Sequence, residues 1–119
     1  MKFLLLTPLL FFVISCTQPN KLQTTQRVCK TVAANTTILL GVKGMVCQMG
    51  CGGSIRKELK KTCAVERVEL TYLDSLEEQT VRVHYDRQKL SPAQMINLLA
   101  QINDRQFTVR KLAEPIAIK

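Results

Sequence analysis

Of the five cysteines in this 119-residue chain, Cys47 and Cys51 stand among glycines in the segment Gly44-Met45-Val46-Cys47-Gln48-Met49-Gly50-Cys51. A thiolate is a soft ligand that selects Cu(I), Zn(II) and similar ions over Mg or Ca. Residues four apart on a helix have Cβ atoms about 5–6 Å apart, so both sulfurs could face one ion. The glycines at 44, 50, 52 and 53 let the backbone bend closely around it. Met49 is a candidate accessory thioether ligand, which would favour Cu(I) over Zn(II); its bland alternative is a hydrophobe that covers the loop. The competing chemistry for the cysteine pair is a structural or redox disulfide. Thioredoxin-type catalysis is a poor match, since its C-x-x-C spacing is missing. No Ser/His/Asp constellation, phosphate loop or carboxylate pair suggests an enzyme, so binding without bond chemistry is the expectation.

Residues 36–43 (TTILLGVK) are β-branched and aliphatic and read as a buried strand. After the glycines comes a short amphipathic helix over residues 55–61, with Ile55 and Leu59 four apart on one face. Residues 65–72 alternate, with Val68, Leu70 and Tyr72 on one side, and residues 80–85 alternate again; a polar turn over 73–78 makes them a hairpin. Ser91-Pro92 is a helix start, followed by Met95, Leu98, Leu99 and Ile102 at helical spacing. Residues 107–111 read as a last strand. The β-α-β-β-α-β order predicts an α+β, ferredoxin-like sandwich: a four-stranded antiparallel sheet with both helices on one face. In that plan the cysteine loop joins the first strand to the first helix, whose N–H groups and partial positive charge lower thiol pKa.

Gly44-Met45-Val46-Cys47 resembles the opening of the heavy-metal-associated domain motif, G-M-x-C-x-x-C, and the resemblance extends over residues 36–112 in the order of elements. That family includes copper chaperones, the metal-binding domains of copper-exporting ATPases and the periplasmic mercury-binding protein. The resemblance implies that Cys47 and Cys51 hold a soft ion, Cu(I) first, with Zn(II) or Hg(II) as alternatives. It implies that Met45 packs inward under the loop. It also implies that metal passes by thiolate exchange to or from a donor or acceptor, such as a metal-transporting ATPase or efflux component. Phe107 falls near the position where the family carries an aromatic residue or Lys beside the loop, with a core role as the alternative. This chain departs from the motif by having three residues between its cysteines rather than two. Either Cys51 sits further into the helix, or the loop bulges to restore the sulfur spacing.

Lys2 and the apolar run that follows it form a targeting segment too short to span a bilayer. Val13-Ile14-Ser15-Cys16 resembles a bacterial lipobox, which implies removal of residues 1–15 and lipidation of Cys16; the alternative is an ordinary secretory signal that happens to contain a cysteine. The expected product is an exported, membrane-anchored lipoprotein facing the periplasm. Thr17 after the cysteine favours the outer membrane if there are two, and otherwise the outer face of the cell membrane. Residues 16–35 read as a polar tether, 36–113 as the domain and 114–119 as a tail. The chain's net charge is +8, but residues 36–113 carry 12 basic and 8 acidic side chains, a net of +4. Nucleic-acid binding is a poor fit, because aromatic residues do not interleave with the bases. Arg56, Lys57, Lys60 and Lys61 read as a solvated helix face, or as a docking patch for an acidic partner. A monomer is expected.

Cys63 closes the first helix, on the order of 18 Å of helical rise from Cys51, and cannot share its ion. In the ferredoxin-like plan that helix end lies where the first strand begins, next to Cys29, so a Cys29–Cys63 disulfide is expected. His84, the single histidine, should project from the sheet face turned away from the loop.

Overall fold

The β-branched, aliphatic run TTILLGVK forms β1 (Thr36–Lys43): Thr36, Ile38, Leu40 and Val42 are buried while Thr37 and Leu39 are half-buried. This is the period-two pattern of a strand with one face on a core. The computed structural model describes residues 29–118; the expected targeting segment, Cys16 and most of the expected tether lie outside the described residues. β1 is followed by α1 (Gln48–Lys61), β2 (Val65–Thr71), β3 (Glu78–Tyr85), α2 (Pro92–Gln101), β4 (Thr108–Lys111) and β5 (Ile116–Ala117). The sheet is antiparallel throughout, with strand order β2-β3-β1-β4, and β5 also pairs with β1.

The sheet therefore has five strands among the described residues, not the four expected, and the reason lies along one edge of β1. β4 covers only Leu40–Lys43. The Leu112 N–H still donates to the Leu39 carbonyl (2.9 Å), and the chain then leaves the edge at Ala113, Glu114 and Pro115. Proline has no N–H to give to a ladder. β5 returns opposite Thr36 and Thr37, and the Ile118 N–H donates to the Asn35 carbonyl (2.9 Å). The segment expected as a tail thus occupies β1 backbone groups that would otherwise be an open edge.

Ile55 and Leu59 of α1 and Met95 and Leu99 of α2 join Ile38, Leu40, Val42, Val81 and Val83 in one core. Both helices thus pack on the same sheet face. Each of these fully buried side chains is worth about 1.5–3 kcal/mol of transfer free energy. α2 starts as its sequence suggests: the Ser91 hydroxyl accepts from the Gln94 N–H, the Gln94 side chain accepts from the Ser91 N–H, and Pro92 is the first helical residue. α1 begins earlier than expected, at Gln48, and runs through three glycines. Each glycine costs such a helix about 0.5–1 kcal/mol relative to alanine. Lys60 and Lys61 in its last turn complement the dipole, and Cys63 follows in the left-handed conformation (φ 56°), where glycine is usual.

At this end Cys63 is disulfide-bonded to Cys29, with Cα atoms 5.2 Å apart. The stretch after Cys29 is fastened further: the Ala34 N–H donates to Glu66, and the Asn35 side-chain amide donates to Asp86. Part of the expected tether is therefore bound to the domain. No helix among the described residues is long and apolar enough to cross a membrane.

Candidate metal site

The strand register gathers three connections and a helix start at the opposite end of the sheet. Lys43 faces Glu78 and Thr108, and Thr71 faces Thr80. The segment carrying Gly44, the turn after β2 and the segment before β4 therefore share this end with the first turn of α1.

Gly44 has φ +92°, and a Cβ placed there would lie 2.3 Å from the Gln106 carbonyl oxygen. Both the conformation and the contact demand glycine. Met45 is buried in the core, whereas Val46 is exposed. Cys47 is the N-cap of α1, in extended backbone, with its thiol free and exposed. Cys51, also free, lies inside the helix and is buried. The extra residue is thus absorbed by a regular helix that carries Cys51 one turn in, not by a bulged loop.

The start of α1 has no acidic residue in its first turn, and its unpaired N–H groups meet a sulfur instead of an oxygen. A Cβ on Gly50 would come within 3.2 Å of Cys47 Sγ, so the bare glycine lets the sulfur settle over the turn. The N–H of Cys51, and then that of Gly50, hold the Cys47 thiol below its usual range; desolvation opposes them, and the Cys51 thiol adds a smaller downward pull. The sulfur does not form a cap hydrogen bond of regular geometry, so the effect is that of N–H dipoles converging on a charge.

Cys51 Sγ has a different neighbour. Gln106 Nε2 donates to the Gly44 carbonyl at 2.6 Å and approaches Cys51 Sγ at 3.9 Å. Gln106 is reached through Asn103, Asp104 and Arg105, all with positive φ (50°, 55° and 62°). Asn and Asp enter this region more readily than other non-glycine residues, and the adjacent Phe107 is buried in the core. Tyr72, half-buried just beyond β2, completes the surroundings. Burial chiefly raises its hydroxyl pKa, followed by Asp74 and then by the charges of Cys47 and Cys51.

Of the residues singled out from sequence, Cys47, Met45 and Cys51 gather here. Met49 is on the first turn of α1 but 86% exposed, turned to solvent and not folded over the pair. Phe107 is a core residue, 3% exposed. His84 projects from the sheet face opposite the helices. There Thr37 Oγ1 lies 2.9 Å from its Nδ1 and Glu69 lies 3.5 Å from its Nε2, beside a groove of about 330 Å³ shared with Arg82 and Ile116. Among the described residues no group of three or more His, Cys, Asp or Glu side chains could hold a metal ion; the candidate donors are the two thiols. Gln106 and Tyr72 were missed from sequence. The hairpin register brings Tyr72 to the loop, and the residue before Phe107 was the place to look for a second neighbour.

Compared with known proteins, the chain matches no family model, and no curated protein and no solved structure is significantly similar to it.

Proposed function

We propose that this chain is a soft-metal-binding protein of heavy-metal-associated type, which captures an ion between Cys47 and Cys51 and passes it on or sequesters it. The observation that carries this reading is the pair of free thiols at the start of α1: one exposed and biased towards thiolate by helix N–H groups, the other buried one turn on. Cys47 caps α1 and Cys51 lies one turn inside it, close enough for the two thiols to interact, so one ion can be held between their sulfurs. The strand order β2-β3-β1-β4 with both helices on one face supports a ferredoxin-like framework, extended here by β5. Two thiols without further His or carboxylate donors suit Cu(I) or Hg(II), which accept low coordination, better than Zn(II), which seeks four ligands.

The lipobox resemblance at Cys16 extends the proposal to an exported, lipid-anchored carrier facing the periplasm or the cell exterior. Its partner is a donor or acceptor that exchanges thiolates with the exposed Cys47, such as a metal-transporting ATPase or efflux component. Anaerobic titration with Cu(I), Zn(II) and Hg(II), with Cys47 and Cys51 reduced, tests the site. One ion per chain for wild type, lost in Cys47→Ser and in Cys51→Ser, is the expected result; equal binding by the double variant contradicts it.

A thiol-disulfide role is the second reading. It is favoured by the same asymmetry, since an exposed low-pKa thiol beside a buried one is also how an attacking and a resolving cysteine are arranged. Catalysed reduction of a disulfide substrate by wild type, without stoichiometric metal binding, would favour it.

A further inference from the structure

Two thiols that bind a monovalent ion release two protons and leave a bis-thiolate complex with one net negative charge. The same thiols binding a divalent ion leave a neutral complex. Extra negative charge between two sulfurs in a partly buried site is stabilised by N–H donors directed at the sulfurs. Cys47 has the N–H groups that open α1. Cys51 lies within the helix, its own N–H is already directed at the Cys47 sulfur, and the side-chain amide donor near its sulfur is Gln106 Nε2 at 3.9 Å. That amide is not free to drift. Its second bond, to the Gly44 carbonyl at 2.6 Å, ties it to the strand leading into the site, and the Gln106 backbone N–H donates to the Asn103 carbonyl at 3.0 Å. The left-handed turn Asn103–Arg105 and the Gln106 carbonyl packed against Gly44 fix the same segment from the other side.

We infer that Gln106 is a positioning residue for the bound ion: its side-chain N–H steadies the negative charge on Cys51 and so sets the preference of the site for monovalent over divalent soft ions. The inference rests on the proposed metal site and adds to it a determinant of ion charge that lies outside the cysteine motif.

The test compares competitive binding of Cu(I) and Hg(II) by the full chain, with Cys47 and Cys51 reduced, for wild type, Gln106→Glu and Gln88→Glu. The Gln88 variant makes the same charge change in the turn before α2, at the Cys63 end of the sheet. Gln106→Glu removes the donor and faces the anionic complex with a carboxylate, so the Cu(I)-to-Hg(II) affinity ratio should fall about ten-fold or more, and Gln88→Glu should change it less than about two-fold. Gln106→Met, which keeps the length of the side chain and removes the donor without adding charge, should lower the ratio about three-fold. It serves where the Glu variant fails to fold. A purely structural role would weaken both ions alike, and an unchanged ratio in either Gln106 variant overturns the inference. Binding of neither ion by wild type would overturn the metal site itself, and this inference with it.

Discussion

The two cysteine pairs lie at opposite ends of one sheet and are in opposite chemical states. Cys29 and Cys63 meet from segments 34 residues apart in sequence, where a left-handed residue ends α1 and the incoming chain is pinned beside it, and they are bridged. Cys47, the cap of α1, and Cys51, one turn inside it, remain free thiols. Backbone geometry distinguishes the staple from the candidate ligand pair: an irregular junction brings two Cα atoms to 5.2 Å, whereas the helix start sets one thiol over its N–H groups and the other a turn inside.

The largest effect expected from breaking this contrast is at the bridged end. Cys29→Ser/Cys63→Ser removes a long covalent loop closure and should cost about 3–4 kcal/mol of stability by denaturant unfolding, with metal stoichiometry unchanged. Loss of metal binding in that variant would mean the two ends are not independent. At the free end, Gly44→Ala forces a side chain into positive φ and onto the Gln106 carbonyl; about 1–3 kcal/mol of stability should go, together with weakened metal affinity. Tyr85, back at the bridged end, is fully buried and its hydroxyl lacks a hydrogen-bond partner among the described residues. Tyr85→Phe should leave the site untouched and be neutral or stabilising by about 1 kcal/mol in thermal unfolding.

The pH effect is the smallest. The Cys47 pKa is lowered in the folded protein, so the thiolate's contribution to stability is present above the unfolded thiol pKa and is lost as pH falls through the folded value. Alkylation reports it directly. Cys47 should react faster than Cys51 at neutral pH and slow only as pH drops below the ordinary thiol range. Equal rates for the two cysteines would remove the asymmetry on which both readings of the site depend.

The framework was largely legible because its signals are local. β1 begins and ends with the β-branched, aliphatic run TTILLGVK, and Ser91-Pro92 opens α2 with a capping box. Two elements were harder to read, for different reasons. β5 is two residues long, and its pairing depends on how much of β1 is left open by β4, which no local pattern reports. α1 starts at Gln48 although Gly50, Gly52 and Gly53 argue against a helix there. Tertiary packing of Cys51, Ile55 and Leu59 overrides that propensity. At the site, Cys47 and Cys51 stood out by residue type and spacing. Gln106 did not, because an exposed glutamine before a strand has no signature until the turn Asn103–Arg105 folds it onto Gly44.

X-ray absorption at the copper edge of the Cu(I)-loaded protein tests the two-sulfur site most directly. A Cys47–Cu–Cys51 centre requires a first shell of two sulfur neighbours, unchanged in Met49→Leu and lost in Cys47→Ser/Cys51→Ser. A first shell of nitrogen or oxygen, or an unaltered spectrum from the double variant, would contradict it.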